Sequence, residues 1–276
     1  MSSESGPPPS LPSDSEDLET RERVQELLKS LGIRKSIFLC STFRSGTSHF
    51  AFLLEDNGVP NLRVERFNVM EQQRIALQPS AARFALFEAA IRRGTNGDTF
   101  ATKLAWGHWA WAVSSLGMDW NELPRLSSIF PDPLFMFVKR LDIFAQGISL
   151  WRAKKTGQWE VFAEGGRART DVPEYDLAAI LPGLREQLLA NALWEEFFQR
   201  GGFDAESFEY ESLVRDPHAS VVRALNFLKL PLPAHVRVRP RIRKQADAAS
   251  DNLRERLLRD LLRPDQRGRP LAAGRE

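Results

Sequence analysis

The chain has 276 residues, 42% of them hydrophobic, with Phe 18 and Trp 7, enough to close a sizeable core around a buried site. That composition excludes a collagen, a coiled coil, a disulfide scaffold and a wholly disordered chain. Lys plus Arg is 38 against Asp plus Glu 36, and the resulting net charge of +2 makes no demand for a nucleic-acid partner.

Residues 1–17 combine Ser, Pro and acidic residues with almost no apolar content, so burial cannot offset their ordering entropy and a disordered tail is expected. Within 18–32, Val24, Leu27, Leu28 and Leu31 fall at helical spacing, and Gly32 supplies a stop. Residues 36–41 form a compact apolar run, ended by the small-residue loop Thr42-Phe43-Arg44-Ser45-Gly46-Thr47-Ser48. A helical pattern through Phe50, Leu53 and Leu54 follows and stops at Asn57-Gly58. Two further buried-strand patterns span 99–104 and 134–138, the second leading through Lys139-Arg140 into a helix over 142–155. A long helix is expected over 176–200 and a strand over 206–210. Asp216-Pro217 then supplies an N-cap and a first-turn proline for a helix over 218–228.

Strands alternating with helices specify an α/β fold, a doubly wound parallel sheet with helices on both faces. Its ligands sit beyond the carboxyl ends of the strands. The expected organisation is the tail 1–17, a leading helix 18–32, one domain over 33–265 and a frayed end over 266–276. The single cysteine, Cys40, has no internal partner, which fits a reducing cytoplasm. No stretch approaches the ~20 apolar residues of a membrane span, and the N-terminus has no basic start with an apolar run, so a cytoplasmic, unexported protein is expected.

The loop 42–48 carries the most chemistry. Between a strand and a helix, such a loop turns backbone N–H groups and hydroxyls toward an anion. A nucleoside-triphosphate P-loop would need Gly five residues before Gly46 and Lys just after it; those positions hold Ser41 and Thr47, which disfavours ATP hydrolysis. What remains is the cation of Arg44 before the glycine, with hydroxyls at Ser45, Thr47 and Ser48; an ordinary turn is the competing reading. Arg140 closes an apolar strand, where its guanidinium fork suits a second phosphate, although a strand-end salt bridge to Asp142 explains it equally well. No His, Cys, Asp or Glu spacing resembles a metal site, and none is expected. The basic stretch Arg237-Val238-Arg239-Pro240-Arg241-Ile242-Arg243-Lys244 reads either as a nucleic-acid arm or as a segment crossing the ligand site.

FRSGTS after a strand, KLAW around Lys103, KRLDIFAQGISLWRAKKTGQW, NALWEEFF, YESLVRDP and RKQADAASD follow one another in order between Lys35 and Asp260. In this the chain resembles the bacterial carbohydrate sulfotransferases typified by trehalose sulfotransferase. The resemblance implies a P-loop-like fold related to nucleotide kinases, with 3′-phosphoadenosine 5′-phosphosulfate as co-substrate. It also implies a carbohydrate or glycolipid acceptor, no metal and no nucleic acid, and leaves a homodimer open. It assigns Arg44, Ser45, Gly46, Thr47 and Ser48 to the 5′-phosphosulfate, Arg140 to the 3′-phosphate and Glu65 to catalysis. Where relatives often carry Ser three residues after Asp142 this chain has Ala145, so Ser149, Gln146 or Arg243 and Lys244 would serve the 3′-phosphate. Leu253 stands where relatives commonly carry Trp.

The chemistry of sulfuryl transfer agrees, because in-line displacement needs positioning and charge stabilisation more than covalent help. Arg44 and Lys103 supply a positive field, and Glu65 is the candidate base for the acceptor hydroxyl. The competing reading of Glu65 is a solvated acid paired with Arg63 or Arg66. His49 is a rival base, and His108, among Trp106, Trp109 and Trp111, is a candidate for acceptor binding, although tryptophans at this spacing more often build core. A kinase-like nucleotide-binding protein and an inactive nucleotide-binding module are the functional alternatives.

Overall fold

The computed structural model describes residues 14–68, 77–166, 173–243 and 245–263. Helix α1 (Asp14–Ser30) leads into β1 (Lys35–Ser41) and α2 (Thr47–Asp56), and α3 (Ser80–Gly94) precedes a short β2 (Thr95–Asn96). β3 (Thr99–Ala105) runs straight into α4 (Trp106–Ser115), and β4 (Pro133–Lys139) is followed by α5 (Ile143–Thr156) and α6 (Leu177–Gly201). β5 (Ala205–Glu209), α7 (Tyr210–Arg215), α8 (Pro217–Phe227) and α9 (Ala248–Leu262) complete the described chain.

The sheet has the order β2-β3-β1-β4-β5, with β2 antiparallel to β3 and every other neighbouring pair parallel. β1 therefore lies centrally, and the chain leaves it first toward β3 and then toward β4. That reversal opens a crevice at the carboxyl end of β1, the usual ligand position of a doubly wound sheet. Apolar residues along β1 serve both faces, as a sheet covered on two sides requires. Phe38 and Cys40 pack with Trp109, Trp194 and Phe197 on one face, and Ile37 and Leu39 with Phe50, Leu53 and Val221 on the other.

Three helix starts follow the sequence signals closely: Asp142, Asp176 and Asp216 each accept the N–H of the residue three positions on, capping α5, α6 and α8. The first helix begins at Asp14 rather than at residue 18, because its opening turn is acidic and Asp17 pairs with the fully buried Arg83 of α3. Residues 1–13 and 264–276, which include most of the expected tail and the frayed end, lie outside the described residues. Helix α9 had no counterpart in the sequence reading; its capping box at Asp247 starts it, and Leu253 and Leu257 seat it against Ile148, Trp151 and Ile180. Among the described residues, no helix is long and apolar enough to cross a membrane.

Candidate active site

A cleft of about 1030 Å³ opens at the carboxyl end of β1, walled by the 42–48 loop, the ends of β3 and β4, α5, and the 240–251 segment. The loop's shape follows from two left-handed residues, Arg44 at φ 66 and Gly46 at φ 87, which bring the first turn of α2 to face the cleft. Gln146 holds it from behind, its Nε2 donating at 2.8 Å to both Thr42 Oγ1 and the Phe43 carbonyl. The Trp194 indole donates to the Ser41 carbonyl at 3.0 Å. Gln146, weighed as a phosphate ligand, is thus committed to the loop.

Gly46, Thr47 and Ser48 line the cleft, whereas Ser45 does not. Ser45 is fully buried, and its Oγ lies 2.8 Å from Thr47 Oγ1, so its contribution is to the loop's interior rather than to a ligand. Arg44 donates from Nε to Ser149 Oγ at 3.0 Å and from Nη1 to the Trp159 carbonyl. Burial lowers the pKa of Arg44 first, Glu160 offsets part of this, and the like charge of Arg140 lowers it further. Arg140 stacks 4.8 Å from the centroid of the Tyr210 ring, and its Nε is buried with no hydrogen-bond partner. The competing reading of Arg140, a salt bridge to Asp142, does not form; Asp142 caps α5 and pairs with Arg254 at 2.7 Å.

On the opposite wall, the chain from residue 64 to 66 lies against β3. The Lys103 N–H and Thr102 Oγ1 bond the Val64 carbonyl at 3.3 and 3.2 Å, and the Arg66 N–H bonds Thr102 Oγ1 at 3.2 Å. This fixes Glu65 at the cleft, with Oε1 3.4 Å from Lys103 Nζ and Oε2 3.2 Å from His108 Nδ1. Lys103 also donates to Ser48 Oγ at 3.0 Å, which ties the carboxylate to the 42–48 loop. Burial alone would raise the pKa of Glu65, but His108 and Lys103 together outweigh it and hold the carboxyl below its ordinary value. Arg63 pairs with Glu55 and Arg66 with the Asn61 side chain, so neither takes Glu65.

The basic stretch is a strap across the cleft rather than a free arm. Ile242 bridges Phe162 in antiparallel fashion, the Arg243 N–H bonds the Val161 carbonyl at 2.8 Å, and the Arg243 side chain donates to the Ala163 carbonyl at 2.7 Å. Arg239 pairs with Glu164 and Arg241 with Asp56. Arg243 reaches the cleft by this route; Lys244 lies outside the described residues. Leu253 is buried beneath α5 and does not line the cleft. Trp109 is core, as its spacing implies, while Trp106 and Trp111 pack against that core. Trp159 is 42% exposed at the cleft and lies 6.1 Å from the Phe43 ring.

Tyr210 as a site residue, and the partner of Arg152, a residue the sequence places beside Gln146 and Ser149 on α5, were missed in the sequence. Tyr210, which separates Gly46 from Arg140, follows β5 at a strand's carboxyl end, a position where an aromatic is worth weighing as a site residue. Arg152 reaches Asp247 at 2.8 Å and clasps α5 to the start of α9, a pairing across 95 residues that no local pattern announces. Among the described residues, no group of three His, Cys, Asp or Glu is placed to hold a metal ion.

The family model described as Stf0 sulphotransferase matches residues 36–260. A search of curated proteins finds no match.

Proposed function

The chain belongs to the Stf0 sulphotransferase family, and from that premise we propose that it transfers a sulfuryl group from 3′-phosphoadenosine 5′-phosphosulfate to a hydroxyl of a saccharide or glycolipid. The observation that carries this reading is the pairing of Arg44 and Arg140. Both guanidinium groups line the same cleft beside the first turn of α2, and the positive charge of Arg140 is one of the causes that lower the pKa of Arg44. A ligand with two separated anionic groups relieves that repulsion, and the donor's phosphosulfate and 3′-phosphate are such a pair.

In this reading Arg44 and the first turn of α2 take the phosphosulfate, and Arg140 takes the 3′-phosphate. The acceptor enters from the wall of Glu65. Its oxygen forms a bond to sulfur as the bond from sulfur to the bridging phosphate oxygen breaks, and that electron pair stays on the phosphate. The hydroxyl proton passes to the Glu65 carboxylate, which the low pKa keeps ionised at neutral pH. Lys103, in contact with both Glu65 and Ser48, offers a cation between the base and the loop assigned to the phosphosulfate. Phe43 and Trp159 supply apolar faces of the kind that stack on sugar rings.

Calorimetry with adenosine 3′,5′-bisphosphate against ATP, followed by label transfer from the sulfate donor into a mixed glycan extract, tests the proposal. Tight bisphosphate binding with labelled glycan is expected. Preference for ATP would replace it with a kinase-like reading, and bisphosphate binding without transfer would leave an inactive nucleotide-binding module.

A further inference from the structure

We infer that His108 is the positioning residue for Glu65, holding the carboxylate aligned while Lys103 is drawn toward the phosphate loop. The inference rests on Glu65 acting as the base, and it assigns to His108 a role different from acceptor binding.

The geometry divides the carboxylate between two partners from different elements. Lys103, from β3, faces Oε1, and His108, from α4, faces Oε2. Lys103 is shared, because its ammonium also donates to Ser48 Oγ at 3.0 Å. A cation shared between a base and an anion-binding loop shifts toward the loop when negative charge develops there. Glu65 would then be free to rotate unless its second oxygen stayed anchored.

His108 is built to stay. Only 8% of it is exposed, and its ring lies edge-on to Phe43 at 6.0 Å between centroids. Trp109, the next residue, is fully buried and packs at 5.3 to 6.1 Å between centroids against Phe38, Phe67, Phe130 and Phe197, which fixes the rotation of α4 and so the direction of His108. The main chain of Glu65 is held as well, where the Asn68 N–H bonds the Glu65 carbonyl at 3.3 Å. Besides Lys103 and His108, the cleft presents His49 of α2, Arg44 of the loop, Arg140 and Tyr210 at the strand ends, Arg152 of α5, Arg243 of the strap, and the acids Asp142, Glu160, Glu211, Asp247 and Asp251. The depressed pKa of Glu65, to which His108 contributes more than Lys103, is consistent with this arrangement.

The test compares His108→Phe and His108→Leu, which remove the nitrogen facing Glu65, with His108→Asn, whose amide nitrogen occupies the Nδ1 position. The first readout needs no turnover: the Glu65 carboxyl is titrated by carbon NMR in the free protein. Its midpoint is expected to move up in the Phe and Leu variants and return toward wild type in Asn. The second is kinetic: kcat falls roughly 10- to 100-fold in Phe and Leu, with acceptor KM and bisphosphate affinity nearly unchanged and partial rescue in Asn. In a Glu65→Gln background the same His108 changes should add almost nothing. An unmoved midpoint, a loss confined to KM, or full additivity with Glu65→Gln would overturn the inference. A wild-type protein that turns over no donor would instead defeat the transfer reading, while the NMR midpoint still decides the pairing.

Discussion

The ring of Tyr210 rests against Gly46, in the volume that a Cβ at position 46 would fill. The same ring carries the Arg140 guanidinium 4.8 Å from its centroid, so one aromatic spaces the 42–48 loop from Arg140. Gly46 is constrained twice, by its φ of 87° and by this contact. Gly46→Ala is expected to lower stability by about 1–3 kcal/mol and to weaken bisphosphate binding sharply. Adding Tyr210→Ser should recover the steric part only, since the left-handed backbone remains. Thermal unfolding and calorimetry on both variants check this, and full recovery in the double variant would refute the conformational half of the argument.

Arg140 and Arg44 should separate by kinetics. With its Nε buried and unpartnered, Arg140 is set to bind rather than to react. Arg140→Ala should weaken adenosine 3′,5′-bisphosphate by about 1.5–3 kcal/mol while leaving AMP affinity nearly unchanged. Arg44→Ala should mainly lower kcat. Equal losses for the two nucleotides in Arg140→Ala would move the 3′-phosphate elsewhere.

Glu65 gives a signed pH dependence. Its folded pKa lies below the ordinary 4.5, so its contribution to stability is present above 4.5 and is lost as pH falls through the lower folded value. The acid limb of kcat/KM should likewise lie below 4.5 if ionised Glu65 is the base. Glu65→Gln should reduce kcat roughly 10²-fold or more without changing donor affinity. His49→Asn should retain most activity; the reverse pattern would hand the base to His49.

The clasp between α5 and α9 offers an independent check. Arg152, chiefly, pulls Asp247 down to about 2 from 3.8, so the ionised form stabilises above 3.8 and that share is lost as pH falls through about 2. Asp247 is half exposed, which screens the pair. Asp247→Asn, which keeps a capping oxygen, should cost no more than ~1 kcal/mol at neutral pH. The difference from wild type should shrink as pH falls toward about 2 and vanish only below it in acid-unfolding curves. A gap that persists there would show that the cap geometry, not the charge, is the stabilising part.

The fold was largely legible in the sequence because its signals are local. A two-sided sheet makes continuous apolar strands at 36–41, 99–104 and 134–138, and Asp caps at 142, 176 and 216 mark helix starts within one turn. The loop 42–48 was equally readable, since glycine, hydroxyls and an arginine between strand and helix occupy consecutive positions. The elements that stayed hidden have weaker marks: the buried stripe of α3 includes Ser80, Arg83 and Gly94, α4 is apolar or aromatic nearly all round, and α9 is mostly charged on its outer face.

What only the tertiary structure decided is who pairs with whom. Glu65 has arginines at 63 and 66, and local charge patterning gives it to them. Folding instead sends Arg63 to Glu55, fastens 64–66 to β3, and delivers Lys103 and His108, 38 and 43 positions away, to the two carboxylate oxygens. In the same way Asp142 goes to Arg254 and not to its neighbour Arg140, which is left stacked on Tyr210 and facing the cleft. Sequence specifies which residues can carry charge; the strand register and helix packing set which charges come within 4 Å of each other, and a Coulomb energy that falls with distance makes that the deciding quantity.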